Sequence, residues 1–192
     1  MAIKIISLIG IFIFFVGTHT AMLTHYKPFR YFWNYFSDLS YENNWALSRL
    51  LNLIAFVILG CTLILIWWQV AMTSAESALL FKFFGFFGGI SIACSVLVPY
   101  KKYQRAYSVT HGALVMTGNI STNICILLVN TKLQNWYLWV ALAVFVIYFL
   151  VWAVSSRVYK NNEKMARPWH APVQKAYVLF QVAALIVVIL NL

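Results

Sequence analysis

The chain has 192 residues, 63% of them hydrophobic and 9% charged, with a formal net charge of +10. Soluble domains carry about 25% charged residues, so the shell that would face water is missing and a soluble globular protein is excluded. The length fits one domain over residues 1–192, and the basic charges sit in short loops between apolar runs, which argues against nucleic acid and for anionic lipid headgroups as partners.

A helix needs about 20 apolar residues to cross a bilayer. Six stretches reach that length: Ile3–Leu23, Ala46–Val70, Leu79–Pro99, Ser108–Val129, Trp136–Ser156 and Ala176–Leu192. Their apolar runs are continuous rather than alternating, so they read as helices and not barrel strands. The expected fold is all-α, a polytopic transmembrane bundle of six helices. In the first stretch, Lys4, the apolar run and "THTA" follow the layout of a secretory signal. The apolar core is long for a signal, so the segment reads as a mature helix. Ser7, Gly10 and Gly17 in it read as small packing residues.

The first connection contains "YFWNYFSDLSYENNW", with Asp38 and Glu42, two of the four acidic residues in the chain. Its rings read as interface anchors of an aromatic belt, with a cage for a choline-like headgroup as the alternative. The two carboxylates are placed to pair with Arg30, Arg49 or Lys101. Arg49 opens the second stretch with Asn52 one turn further in, and it could instead hold a lipid phosphate. The third stretch carries "GFFGG", in which Gly85 and Gly89 form a small-xxx-small pair for close helix packing, followed by Ser91 and Ser95.

The fourth stretch carries most of the polar information. On a helical projection Ser108, His111, Gly118, Asn119, Thr122 and Asn123 fall within an arc of about 140°. Amides in hydrocarbon are costly unless paired, so this stripe faces the bundle interior. It serves either helix-to-helix hydrogen bonding or a polar cavity, and His111 reads as functional. "NIS" at Asn119 matches a glycosylation sequon but lies within the span, so it is discounted. Before the sixth stretch, "RPWHAPVQK" is a loop with His170 and Lys175, and Gln174, Tyr177 and Gln181 recur on one helical face. Lys175 either lines a vestibule there or snorkels to headgroups. Cys61, Cys94 and Cys125 lie in apolar runs without paired spacing and read as packing residues.

Loop charge gives the orientation. Eleven of the 14 Lys and Arg residues flank the 1–2, 3–4 and 5–6 connections, which makes these cytoplasmic and puts both termini on the non-cytoplasmic side. All four histidines lie at or near the basic face, so the cytoplasmic half reads as the working end.

The available chemistry is limited. His19, His25, His111 and His170 with the acidic residues lack diagnostic metal spacing, so no metal and no cofactor is expected. Ser37 or Ser108 with His111 and Asp38 could form a triad, although no G-x-S-x-G is present. No carboxylate lies clearly within a span, which speaks against a proton relay. No nucleotide-binding fingerprint is present either.

Several segments together resemble one family. "FSDLS", "LLNLIAFVILGCTLIL", "SVLVPYKKYQRAYSVTHGALVM" and "VQKAYVLFQVAALIVV" are similar to the motifs of the domain-of-unknown-function 998 family, within the Frag/DRAM/Sfk-like membrane proteins. The likeness runs along nearly the whole chain, and the family's Asp and His map to Asp38 and His111. Lys101 and Lys102 stand where an acidic residue is usual, and Lys175 stands for an Arg. The resemblance implies lipid-related work without naming a reaction.

Three function classes follow. The first is binding or translocation of a lipid or small amphiphilic molecule in a cytoplasm-facing polar vestibule, with Arg49, Asn52, Ser108, Asn119, Asn123, His170, Lys175, Tyr177 and Gln181 as ligand-binding residues. The second is a membrane-embedded lipid hydrolase or transferase with Asp38 and His111 as catalytic residues. The third is a structural or regulatory subunit of a membrane complex. The expected setting is a bacterial or archaeal cytoplasmic membrane, and the sequence leaves the oligomeric state open.

Overall fold

In hydrocarbon a backbone can satisfy its N–H and C=O groups only within its own segment, so the continuous apolar runs fold as helices. A computed structural model describes residues 2–31, 33–40, 45–98, 105–158 and 163–192; the side chains of residues 37, 40, 105–108, 156 and 163–168 fall outside that description. The helices are α1 (Ala2–Leu23), α2 (Ala46–Thr73), α3 (Ala78–Leu97), α4 (Arg105–Leu133), α5 (Trp136–Val158) and α6 (Glu163–Asn191). Short 3-10 turns cover Phe36–Ser40 and Ala75–Ser77. Each of the six helices holds a window long and apolar enough to cross a membrane. The chain is a multi-pass integral membrane protein with an all-α fold.

Its surface is inverted relative to a soluble protein. Ile6, Phe12, Phe86, Ile147 and Leu150 are exposed, while Thr18, Ser48, Ser95 and Asn123 are buried. Lipid solvates the former, and the latter find partners only inside the bundle. Lys4 Nζ lies 3.4 Å from the Leu190 carbonyl, so both termini share one end. The ends of α1, α3 and α5 that lead into the 1–2, 3–4 and 5–6 connections lie at the other, the loop end.

Helix α2 packs on α1 and α3, α3 packs on α4, and α5 packs on α6. Between lipid-facing helices there is no hydrophobic driving force, so close contact depends on small residues. At the α2–α3 crossing a Cβ on Gly60 would sit 2.9 Å from the Ala93 Cβ and collide with the Gly89 carbonyl, and a Cβ on Gly89 would collide with the Gly60 carbonyl. Gly88 provides the same closeness toward Ser121 of α4. The contacts of α6 with α1 and α4 are lighter, and this looser seam is where the interior opens.

Helix α6 departs from the sequence expectation. "RPWHAPVQK" is not a loop: α6 begins at Glu163 and carries His170, Gln174 and Lys175 in its first four turns. Proline disfavours helix interiors, but tertiary contacts hold this segment. Tyr148 of α5 stacks on His170 at 5.7 Å, and Tyr35 of the first connection meets the same ring at 5.0 Å.

Candidate functional site

Where the α5–α6 pair faces α1 to α4, side chains from all six helices and the Phe36 turn leave a slot. About 810 Å³ is unfilled up to its open part, and about 80 Å³ of this admits the centre of a water-sized sphere. One water needs roughly 10–15 Å³ in the latter measure, so the slot is narrow and takes a few waters or one thin chain. On α2 the lining runs from Asn52 to Leu63, twelve residues or roughly 16 Å of helix. The deep walls are apolar, with Phe14, Leu63, Val182 and Leu185. Asn52, Ser95, His111 and Gln174 line the slot toward the loop end, and Asn119 and Gln181 set two amides further in.

The polar stripe of α4 faces inward as expected. His111, Asn119, Thr122 and Asn123 are all buried. His111 Nδ1 lies 2.7 Å from the Ser95 carbonyl and 2.9 Å from the Val98 carbonyl. Carbonyls at a helix C-terminus lack intrahelical partners, so His111 caps α3 from the neighbouring helix. A nitrogen facing two carbonyl oxygens carries the proton, which leaves Nε2 of the neutral ring as an acceptor. One turn beyond Asn119, Asn123 Nδ2 donates to the Asn119 carbonyl at 2.8 Å and to the Tyr177 hydroxyl at 2.9 Å. Tyr177 stacks on Tyr148 at 4.7 Å with nearly parallel rings, which ties α4, α5 and α6 together beside the slot.

The first connection folds over the loop end of the slot. Asp38 Oδ2 accepts from Asn34 Nδ2 at 3.0 Å and from the Tyr35 amide at 2.9 Å, which shapes the turn from within. The Phe36 amide donates to Gln174 Oε1 at 3.3 Å, and the Phe36 ring lines the slot. Lys175, beside Gln174, is 2% exposed. Its ammonium donates to the Asn34 carbonyl and lies 4.8 Å from the Phe36 ring, 5.5 Å from Tyr31 and 5.9 Å from Phe29. The lysine therefore does not snorkel: the connection brings it carbonyl and cation–π partners in the interior. The rings divide likewise. Tyr35 and Phe36 are buried against the bundle, while Trp33 and Trp45 stay exposed as belt residues.

Of the residues expected at the site, Asn52, His111, Asn119, Tyr177 and Gln181 come together around the slot. Asn123 stands behind Tyr177. His170 lies between Tyr35 and Tyr148. Lys175 and Asp38 belong to the cover rather than to the described lining, and Arg49 is exposed on α2. The side chains of Ser37 and Ser108, and all of Glu42 and Lys101, lie outside the described residues. Tyr148 and Phe36 are lining residues that sequence reasoning missed. Tyr148 carries a readable signal, as a hydroxyl inside the apolar run "VFVIYFLVW".

No family model, curated protein or solved structure matches the chain.

Two further features complete the loop end. Among the described residues no three His, Cys, Asp or Glu side chains gather into a metal-holding group. An open groove beside the end of α1 is lined by His19, His25, Lys27, Phe29 and Tyr31. Partial burial there pushes the Tyr31 phenol above its ordinary value.

Proposed function

We propose that this membrane protein binds one amphiphilic molecule with its apolar tail in the slot and its polar head among Asn52, His111 and Gln174 at the loop end. The observation that carries the reading is the make-up of the slot, mainly apolar walls with amides and an imidazole converging at its loop end. Apolar pockets with a few convergent polar groups are the usual form of small-molecule sites. The first connection is then a cover, latched to α6 through Phe36–Gln174 and Lys175–Asn34.

Loop charge supports a cytoplasmic placement of this end, with anionic headgroups around the basic connections. Membership of the domain-of-unknown-function 998 family is part of the same proposal. Its support is the sequence likeness of "FSDLS" and of the segment that carries His111. For the hydrolase or transferase alternative, Asp38 would have to serve the slot, whereas its carboxylate shapes its own turn.

Native mass spectrometry of protein equilibrated with dodecanol tests the reading. The wild type should retain one dodecanol per chain, and Val115→Trp, which fills the slot, should retain none. Equal retention by the two would place the ligand elsewhere. Loss of a substrate-cleaving activity on Asp38→Asn in a folded protein would favour the enzyme alternative.

A further inference from the structure

The slot runs through a region rich in formal charge, yet its described lining carries none when His111 is neutral. Lys175 follows Gln174 in sequence, but its ammonium is turned to the Asn34 carbonyl and three aromatic rings. Arg49 lies three residues before Asn52 and is exposed on the outside of α2. The Asp38 carboxylate is turned to Asn34 and Tyr35. The groups that do line the polar part are amides, phenols, a serine and an imidazole, and each amide offers both donors and an acceptor.

This pattern selects against charge. A phosphate drawn into the slot would lose its water and meet no opposite charge among the described lining, a quaternary ammonium would meet only ring faces such as those of Phe36 and Tyr148, and an ion in a low-dielectric interior without a counter-charge is strongly disfavoured. A hydroxyl, ester carbonyl or amide finds matching donors and acceptors there and brings no such penalty. The dimensions add a second constraint. The lined length of α2 is roughly 16 Å, about half of a hydrocarbon core of roughly 30 Å. A slot one chain wide and one leaflet deep accommodates a single tail and not a paired one.

We infer that the slot is specific for a single-chain amphiphile with an uncharged, hydrogen-bonding head, of the long-chain alcohol or monoacylglycerol class. This rests on the reading of the slot as a binding site. The polar lining then works as a filter that admits neutral lipids and leaves the abundant anionic phospholipids to the basic exterior.

Competition among probes of equal tail length separates the two claims. Dodecanol, monododecyl phosphate and dodecyltrimethylammonium are each titrated against wild-type protein, with Val115→Trp reporting what binds outside the slot. The expected result is slot-dependent dodecanol binding at least about tenfold tighter than that of either ion, with the same affinity at low and high salt. Slot-dependent binding of the phosphate or the ammonium as tight as dodecanol overturns the inference while the slot remains a binding site. Binding of no probe in a slot-dependent way removes the underlying reading as well. Asn52→Leu adds a check at the loop end that leaves the tail region intact. It should weaken dodecanol binding and leave dodecane binding unchanged, and an equal loss of both would show that the head makes no directed contact.

Discussion

The ammonium of Lys175 lies inside the protein with its donors turned to a connection 141 residues earlier in the chain. Lys175→Met keeps the stem and removes the charge, so the Asn34 carbonyl and the Phe36, Tyr31 and Phe29 rings lose their common partner. We expect a stability loss of about 1–3 kcal/mol and faster backbone hydrogen exchange over residues 29–39; exchange that stays at the wild-type rate would show that the latch holds nothing. Tyr177 and Asn123 make a smaller case. Tyr177→Phe removes one interhelical hydrogen bond and should cost about 0.6 kcal/mol, with matching coupling to Asn123→Leu in a double-mutant cycle. The α4 stripe is legible in sequence because helical periodicity is local: His111, Asn119 and Asn123 share a face whatever the rest of the chain does. The environment of Lys175 is not legible in this way, since its partners come from the far side of the fold. The same holds for Asp38, whose carboxylate reads as an ion-pair or catalytic group yet shapes its own turn.

At the scale of elements, α2 and α3 depend on two glycines whose backbones meet, and α4 carries one glycine, Gly112, with open space around it among the described residues. Gly60→Val would drive a side chain into the Gly89 carbonyl and Ala93, so α2 and α3 must separate, at a cost of about 1–3 kcal/mol. Among the described residues a Cβ at Gly112 has open space within 4 Å, so Gly112→Ala should raise stability by roughly 0.5–1 kcal/mol through helix propensity. Unfolding of the purified variants in a mixed-detergent titration checks both signs, and equal effects would contradict the packing described. The spans were readable from apolar length alone, and "GFFGG" announced a close crossing. The early start of α6 was hidden, because Pro168 and Pro172 argue locally for a loop while the stacking of His170 between Tyr35 and Tyr148 overrides them.

For the whole molecule, the fold class and the number of spans follow from composition, whereas the slot is a property of how six helices fail to close and has no local signature. The orientation proposed from loop charge has a direct check. Gln134→Cys, in the α4–α5 connection, should react with an impermeant maleimide in intact cells, and Lys27→Cys should react only after the membrane is opened; the reverse pattern would invert the topology. The native cysteines serve as the background, with Cys125 buried and Cys61 exposed on the α2 surface. The central claim is that the slot holds one apolar tail with its head toward the loop end. Anomalous diffraction from crystals grown with ω-bromododecanol locates the tail directly. The account predicts a bromine peak beside Leu63 and Leu185 at the deep end of the slot; bromine found only on the lipid-facing surface, with the slot unchanged, would contradict it.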